Sequence, residues 1–249
     1  MPEVSRGDRL RVDIGATVRE FVREPVQVVI LLVLPLVVIE GYGYAMTAFP
    51  EFPFMEAVPE TMGRINGAVY AVAFLAAVLG LFQVISALQA DERLRLCGYA
   101  RAELFLTRLA TVVAASLLVS AVSMAVLLWR TDVGAPVVAF GALVAAALTY
   151  GLIGMLVGAV LPRALEGSLV LVFLIDADDF LSSGMLDLDN PLLRVFPLHY
   201  PHALFRSAVL DGTVAAGDAL ATVAYLLVLV AVVGVVYVRL TSNGGVLRG

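Results

Sequence analysis

Three acids fall close together at Asp176, Asp178 and Asp179, followed by Ser182-Ser183-Gly184 and then by His199 and His202, the two histidines of the chain. A serine beside a histidine base is the pattern of nucleophilic hydrolysis, and paired aspartates are the pattern of an aspartyl protease. Neither pattern is well formed. The histidines sit among Pro197 and Pro201 in a connection, and the acids lie on one short segment instead of facing each other from two. A single cysteine, Cys97, excludes a multi-thiolate zinc or iron–sulfur site, and two histidines exclude a three-histidine cage, so no metal site is expected. All 16 basic residues are arginine. Without lysine there is no P-loop lysine for ATP phosphates and no Schiff-base anchor, so ATP hydrolysis has no place in this chain.

The elements that position these residues are membrane helices. Of 249 residues, 61% are apolar and 15% charged, and the mean hydropathy is +0.97, against about half apolar and a quarter charged in soluble domains. A helix needs about 20 apolar residues to cross ~30 Å of hydrocarbon. Six runs qualify: 26–44, 66–88, 104–129, 135–161, one from Ser168 that acids interrupt at Asp176, and 219–238. The fold class is therefore an all-α integral membrane protein with six transmembrane helices. One domain covers 1–249, with an interface helix over 1–25, the membrane domain over 26–238 and a tail over 239–249.

Arginine asymmetry orients it. With the N-terminus in the cytoplasm, Arg6, Arg9, Arg11, Arg19, Arg23, Arg93, Arg95, Arg101, Arg108, Arg163, Arg239 and Arg248 are inside, and Arg64, Arg130, Arg194 and Arg206 are outside. Both termini are then cytoplasmic. The first run is expected to stay as an anchor, because its long leader carries acids and no small-x-small cleavage site follows. The basic residues do not gather on one soluble domain, so nucleic acid is not expected as a partner. Cys97 tests the orientation: a membrane-impermeant maleimide is expected to label inverted vesicles and spare intact cells, and labelling of intact cells would reverse the topology.

Leu10, Ile14, Val18 and Phe21 recur at helical spacing between charged residues, which predicts an amphipathic helix at the cytoplasmic interface. Pro25 should stop it and start the membrane helix. The second cytoplasmic connection, 89–103, crowds Asp91, Glu92, Arg93, Arg95, Arg101 and Glu103 around Leu94, Leu96 and Tyr99, with Gly98 permitting a break between two short helical pieces. It reads either as a docking segment or as a solvated turn. In the fourth run Ala147, Gly151, Gly154 and Gly158 share one face, which suits close packing inside the chain. From Phe180 to Gly212 the connection is too short for two further spans and fits a re-entrant pair of short outer helices.

Three stretches together resemble the permease subunits of type-2 ABC exporters. They are the interface helix ending at Arg23-Glu24-Pro25 and leading into a helix with an internal Pro35; Glu92-Arg93-Leu94-Arg95-Leu96, Gly98-Tyr99 and Arg101-Ala102-Glu103-Leu104; and Phe196 to Arg206 followed by Asp211-Gly212. The resemblance covers nearly the whole chain. It implies a half-transporter in the cell membrane, paired with a second permease copy as a homodimer or related heterodimer. Each copy would dock a separate P-loop ATPase that binds ATP and Mg, leaving no cofactor in this chain. Arg19, Arg23, Glu24, Glu92, Arg93, Arg95, Tyr99 and Arg101 would face that ATPase. Two features depart from the family. The acidic-Gly-Thr stretch ahead of the coupling segment is shortened to Gln89-Ala90-Asp91, and the fifth helix carries the three acids. Three acids at the centre of a lipid-facing helix would be hard to tolerate without water or partners. The fifth helix is therefore expected to be short or broken near Asp176. Asp176 and Asp179 would share a face on a water-filled outer vestibule, with Asp178 pointing away; the alternative is a plain solvated helix end. An intramembrane hydrolase and a non-transporting scaffold are the rival functions.

Overall fold

The structure, a computed structural model, describes residues 25–51, 57–96, 101–161, 163–184 and 191–242. These form seven α-helices: α1 (Pro25–Met46), α2 (Pro59–Leu96), α3 (Arg101–Arg130), α4 (Pro136–Val160), α5 (Ala164–Ser182), α6 (His199–Leu210) and α7 (Ala216–Ser242), with a 3₁₀ turn at Pro191–Val195. No strand occurs among the described residues. Proline opens α1, α2 and α4, at a position whose N–H has no intrahelical partner.

Five helices, α1 to α4 and α7, are long and apolar enough to cross a membrane, so the chain is a multi-pass membrane protein in outline. α5 falls outside that set because its 19 residues include Glu166, Asp176, Asp178 and Asp179. The expected break at Asp176 is absent: α5 runs unbroken to Ser182 and stops at Gly184, whose φ of +69° suits a residue without Cβ. Asp178 is held by protein hydrogen-bond donors, described below, and Asp176 is exposed, so neither requires the helix to break. The break expected at Gly98 in the second connection lies outside the described residues. Residues 89–96 continue α2 without interruption, and α3 starts at Arg101.

At the core, α2 and α4 pack against each other and against most of the remaining helices. Their backbones nearly touch. A methyl group built on Gly154 would fall on the carbonyl oxygen of Ala77, one on Gly80 would fall on that of Gly151, and one on Gly158 would sit 2.8 Å from that of Leu81. The glycine face of the fourth run is thus an internal seam. Apolar side chains that point outward, such as Val29, Val33 and Val37 on α1 and Leu220, Leu227 and Val235 on α7, are exposed, as a lipid-facing surface requires.

One end of the bundle is pinned by charge. Arg130 Nε lies 2.7 Å from Glu40 Oε1, and Arg64 Nη2 lies 2.6 Å from Glu60 Oε1 and 3.7 Å from Glu40 Oε2. The end of α1, the start of α2 and the end of α3 therefore share one level. The α3–α4 connection is tied to the end of α6 there: Gly134 N–H donates to Val209 O at 3.0 Å and Ala135 N–H to Ala208 O at 2.8 Å.

Candidate functional site

Asp178 is fully buried and is the polar node of the bundle. Tyr150 of α4 donates its hydroxyl to Oδ2 at 2.6 Å, Ser182 donates to Oδ1 at 2.9 Å, and the Leu198 N–H, at the start of α6, donates to Oδ2 at 3.0 Å. These donors join α4, α5 and α6, and the carboxyl sits at the N-terminal end of α6, where the helix dipole favours negative charge. The expectation that Asp178 points away from Asp176 and Asp179 holds only in direction; it points into the bundle.

The contacts between α5 and α6 set their relative direction. Asp178 meets Leu198, the Asp179 side chain is 3.9 Å from His202 Nε2, and Ser183 O accepts from Arg206 Nη1 at 3.3 Å. Residue numbers rise together, so the two helices run parallel, and the chain between them must come back to the level of Asp178 before α6 begins. The ten residues from Leu198 to Ala208 rise ~15 Å at 1.5 Å each. Asp178 therefore lies about half a hydrocarbon thickness below the Ala135 end. The expected pair of short helices is one 12-residue helix preceded by a 3₁₀ turn.

Asp176 and Asp179 share a face, as their spacing requires, and line a cavity of about 350 Å³ together with Tyr42 and Met46 of α1, Asn66 of α2 and Phe180. Asp176 is exposed, in a stripe of α5 whose other members include Leu169, Phe173 and Phe180, while Asp179 is buried. Several polar atoms around the cavity have no hydrogen-bond partner among the described residues: Asn66 Nδ2 and Oδ1, Asp179 Oδ1, and both nitrogens of the fully buried His202. The 3.9 Å between Asp179 and His202 is too long for a hydrogen bond. Tyr42 stacks toward Tyr70 at 5.4 Å, and Tyr70 lies parallel to Phe74 at 6.1 Å.

Ser183 Oγ donates to Phe180 O at 2.9 Å, and neither nitrogen of His202 has a hydrogen-bond partner among the described residues. Among the described residues no cluster of histidine, cysteine and carboxylate is placed to hold a metal ion.

Of the residues assigned to ATPase docking, Arg19, Arg23, Glu24 and Tyr99 lie outside the described residues, as does Cys97. Glu92, Arg93 and Arg95 are on the last turns of α2 and Arg101 opens α3, at the end of the bundle opposite Glu40 and where α1 begins. At 38 residues, α2 is ~57 Å long, and its apolar run ends at Leu88. The remaining eight residues, 89–96, carry the helix ~12 Å past that run. Sequence reasoning missed the Glu40–Arg64–Arg130 cluster, Asn66 and Tyr150. A signal was present for the first two, because Glu40 and Asn66 are polar residues within or at the edge of apolar runs, where polar groups are costly without a partner.

No family model matches the chain, and no curated protein matches it.

Proposed function

We propose that the chain is the membrane-spanning subunit of an ATP-driven ABC exporter, working as a dimer with separate ATPase subunits in the cell membrane. α5 then serves as the sixth span, and the ends of α1, α2 and α3 near Glu92 and Arg101 face the cytoplasm. The observation that carries the reading is the projection of α2. A charged helical segment, 89–96, that carries α2 ~12 Å past its apolar run, at the end of the bundle where α1 and α3 start, is suited to dock a soluble partner and has no use in lipid. Two further features support it. The re-entrant α6 comes ahead of the last span, in the stretch Phe196 to Arg206 that resembles the exporters' outer helical pair. Asp176 is an exposed acid on an apolar face, as expected where a second copy and water, not lipid, lie opposite.

The test is a charge reversal outside the membrane. Glu92→Arg with Arg93→Glu is expected to leave insertion and expression unchanged while substrate transport falls at least about tenfold per ATP hydrolysed, a loss of about 1.4 kcal/mol of coupling. Normal coupling in the double variant would remove the α2 projection as the docking surface.

A further inference from the structure

The cavity between α1, α2 and α5 holds polar groups that the fold does not use. Asn66 is 1% exposed and lines it with both amide atoms unpartnered among the described residues, although a buried amide without a hydrogen bond costs several kcal/mol in an apolar setting. Asp179, 5% exposed, keeps Oδ1 unpartnered beside it. Its fellow acid Asp178 accepts three donors, so the difference lies in what the cavity lacks. None of the described residues lining the cavity is basic. The described bases within reach are engaged elsewhere: Arg64 with Glu40 and Glu60, Arg206 with the Ser183 carbonyl. The remaining wall is formed by Tyr42, Ala45, Met46, Phe180 and Ser183 and is mostly aromatic and apolar.

We propose that this cavity binds a small organic ammonium ion, with the charged nitrogen between Asp176 and Asp179, the Asn66 amide oxygen accepting from it, and the carbon body against Tyr42, Met46 and Phe180. Two carboxylates and the Asn66 amide oxygen supply the acceptors that an N–H donor requires. The Tyr42 face adds attraction for a cation. The volume, about 350 Å³, is at the small end of ligand sites and suits an amine of a few carbons or one ring. A bare divalent ion is disfavoured, because no ligand set for a metal is assembled among the described residues. That the amine is cargo rests on the transport reading above; its binding does not.

The chain alone, purified into phosphatidylglycerol nanodiscs without any ATPase, is titrated calorimetrically with phenethylammonium and with the uncharged phenethyl alcohol. Saturable binding of the cation, at one per chain and at least about tenfold tighter than the alcohol, is expected. Asp176→Asn and Asp179→Asn are each expected to weaken it by about tenfold or more (about 1.4 kcal/mol), and Asp132→Asn, at an exposed acid that does not line the cavity, to leave it unchanged. If Asp179→Asn does not fold, Asp176→Asn decides, because its side chain is exposed. Discs of phosphatidylethanolamine separate two sources of the same group: competition assigns the site to a lipid ammonium headgroup, and unchanged affinity assigns it to a free amine. No saturable binding, equal binding of the alcohol, or full affinity in folded Asp176→Asn would overturn the proposal. Because no ATPase is present, none of these results bears on whether the chain is a transporter.

Discussion

Gly154→Val is expected to abolish the folded bundle, with a loss above about 3 kcal/mol, beyond the usual range for overpacking. The seam gives the reason. A Cβ at 154 would fall on the Ala77 carbonyl, which belongs to the backbone of α2 and cannot rotate away, so α2 and α4 would have to separate. These two helices carry most of the buried apolar residues, and a shift there is transmitted to α1, α3 and α5. The series has its own controls. At Gly158 the clash is milder, 2.8 Å from Leu81 O, so Gly158→Ala is expected to be intermediate. Gly141 is on the same helix, and nothing lies within 4 Å of the place an added methyl would take, so Gly141→Ala should be neutral or stabilising by up to about 1 kcal/mol through helix propensity. Thermal unfolding in detergent, followed by size exclusion, ranks the three. Equal stability of Gly154→Val and Gly141→Ala would contradict the seam.

The second large effect is expected at Asp178→Ala. Removing the carboxyl leaves the Leu198 N–H, the Tyr150 hydroxyl and the Ser182 hydroxyl without their acceptor inside the bundle. Hydrogen bonds between membrane helices are worth about 0.6 to 1.7 kcal/mol each by mutant cycles, so three together are worth ~2–5 kcal/mol. Asp178→Asn retains an acceptor for Leu198 and should lose less than half as much. The loss should be local before it is global, because the carboxyl fixes the start of α6. Amide exchange from Leu198 to His202 is expected to accelerate more than exchange in α4. In the Tyr150→Phe background, Asp178→Ala should cost about one hydrogen bond less than it does alone. Uniform destabilisation, with additive effects at 150 and 178, would mean that the node does not hold the re-entrant helix.

Much of the helical frame was legible in the residue pattern, and the limits have physical causes. The runs at 26–44, 104–129 and 135–161 match α1, α3 and α4 to within a few residues, because apolar length is set by membrane thickness. α2 was underestimated at both ends, since 59–65 and 89–96 are helical but polar, and hydropathy marks only the lipid-facing part of a helix. α5 was misjudged at Asp176 for a related reason. The cost of burying an acid was weighed correctly, but the partners of the buried Asp178 lie 28 residues back at Tyr150 and 20 residues on at Leu198, where no local pattern points to them. The shared face of Asp176 and Asp179 followed from helical spacing, whereas the cavity beside it depends on Tyr42 and Asn66 from two other helices. The glycine face was visible as spacing, and only the packing shows that it meets α2 and not a second copy.

The proposed function is tested most directly by the composition of the complex that the full chain forms in its own membrane. Isolated in a mild detergent and weighed by native mass spectrometry, the particle is expected to contain two permease copies and two copies of a P-loop ATPase that carries the lysine this chain lacks. A folded chain recovered alone from membranes in which the Gly154 seam and the Asp178 node are intact, with no ATPase bound, would contradict the proposal.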